Sequence, residues 1–143
     1  MKKSQLHPGP IFTALRAENS AKLPPKVYDR LWKVMQQLDR RYTDFRSREQ
    51  GLVTLKFLNG ENVFGVLPTS GGKSFTFQTV ARMSDGLTVV VSPIIALMKD
   101  QVSKHRDRAS AYFNSDLSPA KKRAVKRRIQ RGDVCLLYVP PND

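Results

Sequence analysis

The residues best suited to chemistry are Gly71-Gly72-Lys73-Ser74, set between an apolar run, Val63–Leu67, and a stretch with helical patterning, Lys73–Met83. These types suit a phosphate. Glycine lets the main chain approach an anion closely because no side chain intervenes. A helix that begins there aims unpaired N–H groups and its positive dipole end at the same point. A lysine at position 73 neutralises β/γ-phosphate charge, and a hydroxyl at position 74 ligates Mg²⁺. The tetrapeptide alone also fits a tight turn with an exposed lysine. Its strand–loop–helix setting, with Pro68–Gly72 as the loop, favours a nucleotide. The usual pattern has a further glycine five residues before Gly72, where this chain has Leu67.

The elements that must position this loop follow from the pattern of apolar residues. Residues 1–25 read as a loosely structured segment, punctuated by Pro8, Pro10, Pro24 and Pro25, in which only Ile11–Ala17 has the makings of a short helix. From Lys26, Val27, Leu31, Val34 and Leu38 recur at helical spacing, with Trp32 and Met35 widening the apolar face towards a core. A second helix is expected from about Glu49 to Phe57 or Leu58, stopped by Asn59-Gly60. Val63–Leu67 reads as a short strand, and the β-branched Thr88–Val91 as a buried one. Pro93 fits the first turn of a helix that runs to about Lys104. Ala109–Phe113 reads as a strand. Ser118 and Pro119 open a helix that Gly132 closes after Arg131, and Val134–Val139 makes a last strand. Strands alternating with helices predict an α/β domain on a parallel sheet, occupying residues 26–143.

Charge adds a partner class. The 143 residues carry a formal net charge of +13, which favours polyanions, nucleic acid before an acidic membrane surface. The excess concentrates between Lys99 and Arg131, with eleven Lys/Arg against three Asp. Seven of those cations fall in the eleven residues Lys121–Arg131, where Val125 and Ile129 leave a narrow apolar stripe. This helix reads either as a solvated face or as an auxiliary nucleic-acid surface. The single cysteine, Cys135, excludes an internal disulfide and a zinc cluster; it is expected as a small buried thiol. His7 and His105 are isolated and carry no metal or catalytic assignment. No run approaches the ~18 apolar residues of a membrane span, and MKKSQLHPGP lacks the apolar region of a secretory signal. The expectation is an intracellular protein, in prokaryotic cytoplasm or a eukaryotic nucleus, with no membrane association.

Several segments resemble one family. Val66–Ser74, VLPTSGGKS, is similar to motif I of superfamily 2 helicases of the DEAD/DEAH type, in which the early glycine is normally absent; Leu67 then fits. Val91–Val102, VSPIIALMKDQV, resembles motif Ia of the RecQ-like DNA helicases almost letter for letter. Asn114-Ser115 and Leu136–Pro140 fall where that family has comparable short segments. Phe45-Arg46 with Gln50 resembles its adenine-reading motif 0, with one residue more than usual between Arg46 and Gln50 and with Arg48 as a second candidate. The likeness covers about Val27 to Pro140.

The resemblance implies an incomplete P-loop, RecA-like fold, a parallel sheet flanked by helices. It implies ATP and Mg²⁺ as ligands, held by Gln50, Thr69, Ser70, Gly71, Gly72, Lys73 and Ser74, with Ser74 on the metal. It implies contacts from Ser92, Pro93, Lys99 and Asn114 to DNA, single-stranded or partly unwound. The family also needs an Asp-Glu pair on a later strand to place Mg²⁺ and the attacking water, and an arginine from a second motor domain. No two carboxylates are adjacent anywhere in these 143 residues, so no residue is assigned a catalytic role. The expectation is the ATP- and nucleic-acid-binding portion of a RecQ-like ATP-dependent helicase, truncated before the Walker B strand and unable by itself to hydrolyse ATP or unwind DNA. A non-catalytic nucleic-acid-binding remnant is the alternative, and a P-loop small-molecule kinase a weaker one.

Overall fold

The computed structural model describes residues 6–69, 72–104 and 109–142. They form two compact units, Met1–Met83 and Ser84–Asp143.

The first unit is helical: α1 (Pro10–Glu18), α2 (Pro25–Leu38), α3 (Arg48–Leu58) and α4 (Lys73–Met83). α2 buries Tyr28, Leu31, Val34 and Met35, the stripe that an i, i+3, i+4, i+7 pattern dictates. Trp32 packs against the same core, as its place on that face predicts. The short helix expected at Ile11–Ala17 is present and slightly longer, Pro10–Glu18. That segment is a helix whose Phe12 and Leu15 are buried in the core. Its start has no local side-chain cap, since Gly9 stands at the N-cap. Asp44 takes that part from far along the chain, its carboxylate accepting from Ile11 N (2.9 Å) and Phe12 N (2.8 Å). Pro10 does not interrupt this helix because it occupies the first helical position, where a missing N–H costs nothing. Replacing the Asp44 carboxylate should act like loss of an N-cap. Asp44→Ala is expected to lower stability by about 1–2 kcal/mol, read as a shifted urea midpoint at unchanged slope.

α3 starts on Ser47, whose hydroxyl accepts from Gln50 N. It lies close to α1, and a Cβ added at Gly51 would come within 2.4 Å of Leu15 Cδ1 and 2.8 Å of Phe45 Cδ2. The contact therefore depends on a residue without a side chain. Arg48 of α3 also pairs with Glu18 of α1, and this hydrogen bond holds the Glu18 carboxyl below its usual range.

The second unit runs β1 (Thr88–Val91), α5 (Ile95–Lys104), β2 (Ser110–Tyr112), α6 (Pro119–Gln130), β3 (Leu136–Val139). The strands form one parallel sheet in the order β1-β3-β2, with Thr88 and Ser110 both opposite Leu136. This is the parallel α/β architecture that the alternation predicts. α6 opens as expected, with the Ser118 side chain accepting from Lys121 N and Pro119 in the first turn. It ends where Gly132 takes a φ of +76°.

Four local expectations need correction. Val63–Leu67 is no strand: it has no regular secondary structure, with Phe64 94% and Val66 81% exposed. β-structure needs a neighbour for its N–H and C=O groups, and among the described residues the first unit contains no strand. β1 is not buried on both sides, because Val89 and Val91 are exposed. Pro93 precedes α5, which begins at Ile95. Cys135 is half-buried rather than enclosed.

Candidate nucleotide and nucleic-acid sites

Among the described residues, the start of α4 is gathered on the Gly72 carbonyl. Gly72 O accepts from Thr76 N (3.1 Å), the first bond of the helix, from Thr76 Oγ1 (3.2 Å) and from Gln50 Nε2 (3.0 Å). Gly72 itself has φ +76°, and a Cβ there would lie 2.1 Å from Gln50 Nε2. The position thus requires glycine twice over, for its dihedral and for its space. The N–H groups of Lys73, Ser74 and Phe75 precede that first helical bond, where an α-helix has no acceptors of its own for them. Pro68, Thr69 and Lys73 are exposed and Ser74 is half-buried. A helix N-terminus with an exposed lysine and an adjacent hydroxyl is a donor set that fits a Mg²⁺-bound polyphosphate. Ser70 and Gly71 lie outside the described residues.

Gln50 is brought against Gly72, in a role other than the adenine contact that the resemblance implies. Its side chain is fully buried. Oε1 accepts from Arg46 N (2.7 Å) while Nε2 donates to Gly72 O. Both ends of the amide are engaged by main chain, so in this arrangement Gln50 positions the loop and presents no free edge to a base.

Beside these residues is an open hollow of about 350 Å³ lined by Asp39, Arg41, Tyr42 and Arg46. Arg46 Nη2 donates to the Tyr42 hydroxyl (3.0 Å), with the guanidinium carbon 5.7 Å from the ring centroid. Tyr42 stacks on Phe75 of α4, 4.1 Å between centroids and 17° between planes. Arg41 grips Asp39 through Nη2 to Oδ2 at 2.8 Å, holding that carboxyl below its ordinary range. Of the two arginine candidates, Arg46 lines this hollow and Arg48 is engaged by Glu18 instead. Tyr42 and Phe75 were missed from sequence. Their spacing of 33 residues gives no local signal, and only the turn between α2 and α3 brings the rings together.

In the second unit, Ser92 N donates to Val139 O (2.9 Å), extending β1 by one rung, and Ser92 Oγ accepts weakly from Ile94 N (3.4 Å). Ser92 is half-buried, while Pro93 and Lys99 are exposed on the approach to α5 and on its surface. Asn114 departs from expectation. It is fully buried, its Nδ2 donating to Asp116 Oδ2 at 3.3 Å. A side chain so placed braces the turn after β2 and has no exposed surface in this arrangement. His105 falls outside the described residues. Among the described residues no group of three or more His, Cys, Asp or Glu stands ready for a metal, and no helix is long and apolar enough to cross a membrane.

Comparison with known proteins finds helicases. The model of the DEAD/DEAH box helicase family matches residues 47–141. The ATP-dependent DNA helicase RecQ of Haemophilus influenzae is 35% identical over 102 residues, 70% of this chain and 16% of that protein. RecQ of Synechocystis is 39% identical over 102 residues, 70% of this chain and 21% of its own length. A putative ATP-dependent RNA helicase of Acanthamoeba polyphaga mimivirus is 32% identical over 123 residues, 85% of this chain and 22% of that protein. The chain spans about a fifth of the length of these curated relatives.

Proposed function

This chain belongs to the DEAD/DEAH box helicase family and is RecQ-like, and from that premise we propose that it binds ATP with Mg²⁺ through Thr69–Ser74 and a single-stranded or partly unwound DNA through Ser92, Pro93 and Lys99. The observation that carries the nucleotide half is the Gly72–Ser74 turn at the start of α4, pinned by Gln50 with Lys73 left exposed. Lys73 neutralises the terminal phosphates, the first N–H groups of α4 orient them, and the Ser74 hydroxyl takes a place on the metal. The base lies towards Tyr42 and Arg46, at the hollow those residues line, with Gln50 released from Arg46 N or acting only through the loop. Bound ATP–Mg²⁺ supplies the phosphoanhydride whose cleavage would drive a motor.

The 143 residues do not contain the paired carboxylates that set metal and water for that cleavage. Tested alone, the chain is a binder: phosphate release stays at background with or without DNA. Its place of work is inside the cell, where nucleic acid and ATP are available.

The experiment is displacement of a fluorescent ATP analogue from the whole chain. ATP competes, and Lys73→Ala weakens binding about 10–100-fold, the worth of losing a charge-assisted hydrogen bond of ~1.5–3 kcal/mol. Lys99→Ala leaves nucleotide affinity unchanged. Equal analogue binding by the parent and Lys73→Ala would refute the phosphate-loop assignment.

A further inference from the structure

α6 is a helix with one sign of charge. Seven of the eleven residues Lys121–Arg131 are cationic and none is acidic. Arg123, Arg127 and Arg131 fall at i, i+4 and i+8, a single row with about 6 Å of rise between members. All three are exposed, and among the described residues none pairs with a carboxylate. Such an arrangement is unfavourable in itself. Like charges at i, i+4 repel, and Lys121 and Lys122 in the first turn oppose the helix dipole. A face selected only for solubility would intersperse both signs.

A second row is held in place. Lys122 Nζ donates to Ser115 O at 3.0 Å and lies 6.0 Å from the Phe113 ring centroid, with Lys126 Nζ at 5.8 Å from the same centroid. The ring keeps two ammonium groups beside the arginine row. No residue of α6 is buried, so the helix contributes little to the core and presents most of its length outward.

We propose that α6 is a second nucleic-acid contact, in which Arg123, Arg127 and Arg131 bind alternate phosphates of one strand without reading sequence. The row's rise of about 6 Å is close to two nucleotide steps of ~3.4 Å each along a duplex strand. Arginine grips phosphate through two N–H groups at once, which suits an exposed row that must hold a flexible backbone. This site lies outside the segment around Ser92 and Lys99 and does not depend on it.

The test is binding of a labelled oligothymidine to the whole chain, followed by anisotropy as salt rises. The combined change Arg123→Gln, Arg127→Gln and Arg131→Gln is expected to weaken binding tenfold or more at low salt. It should also flatten the slope of log K against log salt by about 2, since each single-strand contact adds ~0.7. Glutamine keeps helix propensity near that of arginine, and the three single variants, each flattening the slope by about a third as much, serve if the triple loses its helical circular dichroism. Arg→Lys at the same three sites keeps the slope. An unchanged slope in the glutamine variants overturns the proposal and leaves a solvated face. Displacement of the oligonucleotide by polyglutamate as readily as by unlabelled oligonucleotide also overturns it, in favour of an acidic protein partner. Lys99→Ala separates the two surfaces: loss there with no loss in the glutamine triple supports the Ser92–Lys99 contact and rejects α6, and the reverse result rejects that contact and supports α6.

Discussion

Gly72→Ala is expected to lower the stability of the protein by about 2–5 kcal/mol and to abolish nucleotide binding with it. Two costs combine. A non-glycine residue held at φ +76° incurs roughly 1–2 kcal/mol from the clash of its Cβ with the backbone. That Cβ would also sit 2.1 Å from Gln50 Nε2, so the amide must leave Gly72 O, and an abandoned buried donor costs about 1–3 kcal/mol. Urea denaturation of parent and variant measures the sum, and a difference under ~0.5 kcal/mol, the scatter of ordinary surface changes, would remove the clasp from consideration. The pair can also be tested against itself. Gln50→Ala alone leaves Arg46 N and Gly72 O without that partner, but in the double variant the new methyl group no longer meets the amide and is left with an ordinary contact to Arg46 Cδ at 3.4 Å. The double should therefore lose less than the two single losses added together, because contacting residues do not contribute independently.

That clasp marks the line between what the residue order made legible and what it did not. α2, α3, α4 and α6 follow from apolar spacing and from caps that lie within four residues, such as Ser118 over Lys121. The parallel sheet follows from β-branched runs alternating with helices. What escaped is non-local. Val63–Leu67 has a strand's composition, yet pairing depends on a neighbour that composition cannot reveal. α1 is capped by a carboxylate more than thirty positions away. Asn114 follows a strand as a surface polar residue would, but the turn folds it inward against Asp116. The phosphate loop was legible because its chemistry is contiguous. The Tyr42–Phe75 stack beside it was not, because its two rings come from elements that meet only after α2 and α3 have packed.

Phe12→Ala is the change that shows how far the site depends on the segment ahead of it. Phe12 is 2% exposed. Its ring stacks on Phe45 at 5.8 Å and 18°, and meets Tyr28 and Trp32 edge-on at 6.4 and 5.8 Å. Removing it should cost about 3–5 kcal/mol, the range for a buried phenylalanine whose cavity cannot close, against a total of roughly 5–15 kcal/mol for a small domain. Trp32 reports the event directly, because its emission shifts to the red as water reaches the space the ring occupied. Leu6→Ala, at a position 51% exposed, should stay within ~0.5 kcal/mol of the parent. A Phe12→Ala protein as stable as that control would mean α1 is not docked. Function should follow stability by a short route. Phe45 lies between Asp44, which caps α1, and Arg46, whose N–H is held by Gln50. Loosening the Phe12–Phe45 stack frees that strap, the strap holds Gln50, and Gln50 holds the carbonyl of Gly72. Nucleotide affinity is then expected to fall in Phe12→Ala even under conditions where most of the helical signal survives, while Lys73 and the loop remain chemically intact.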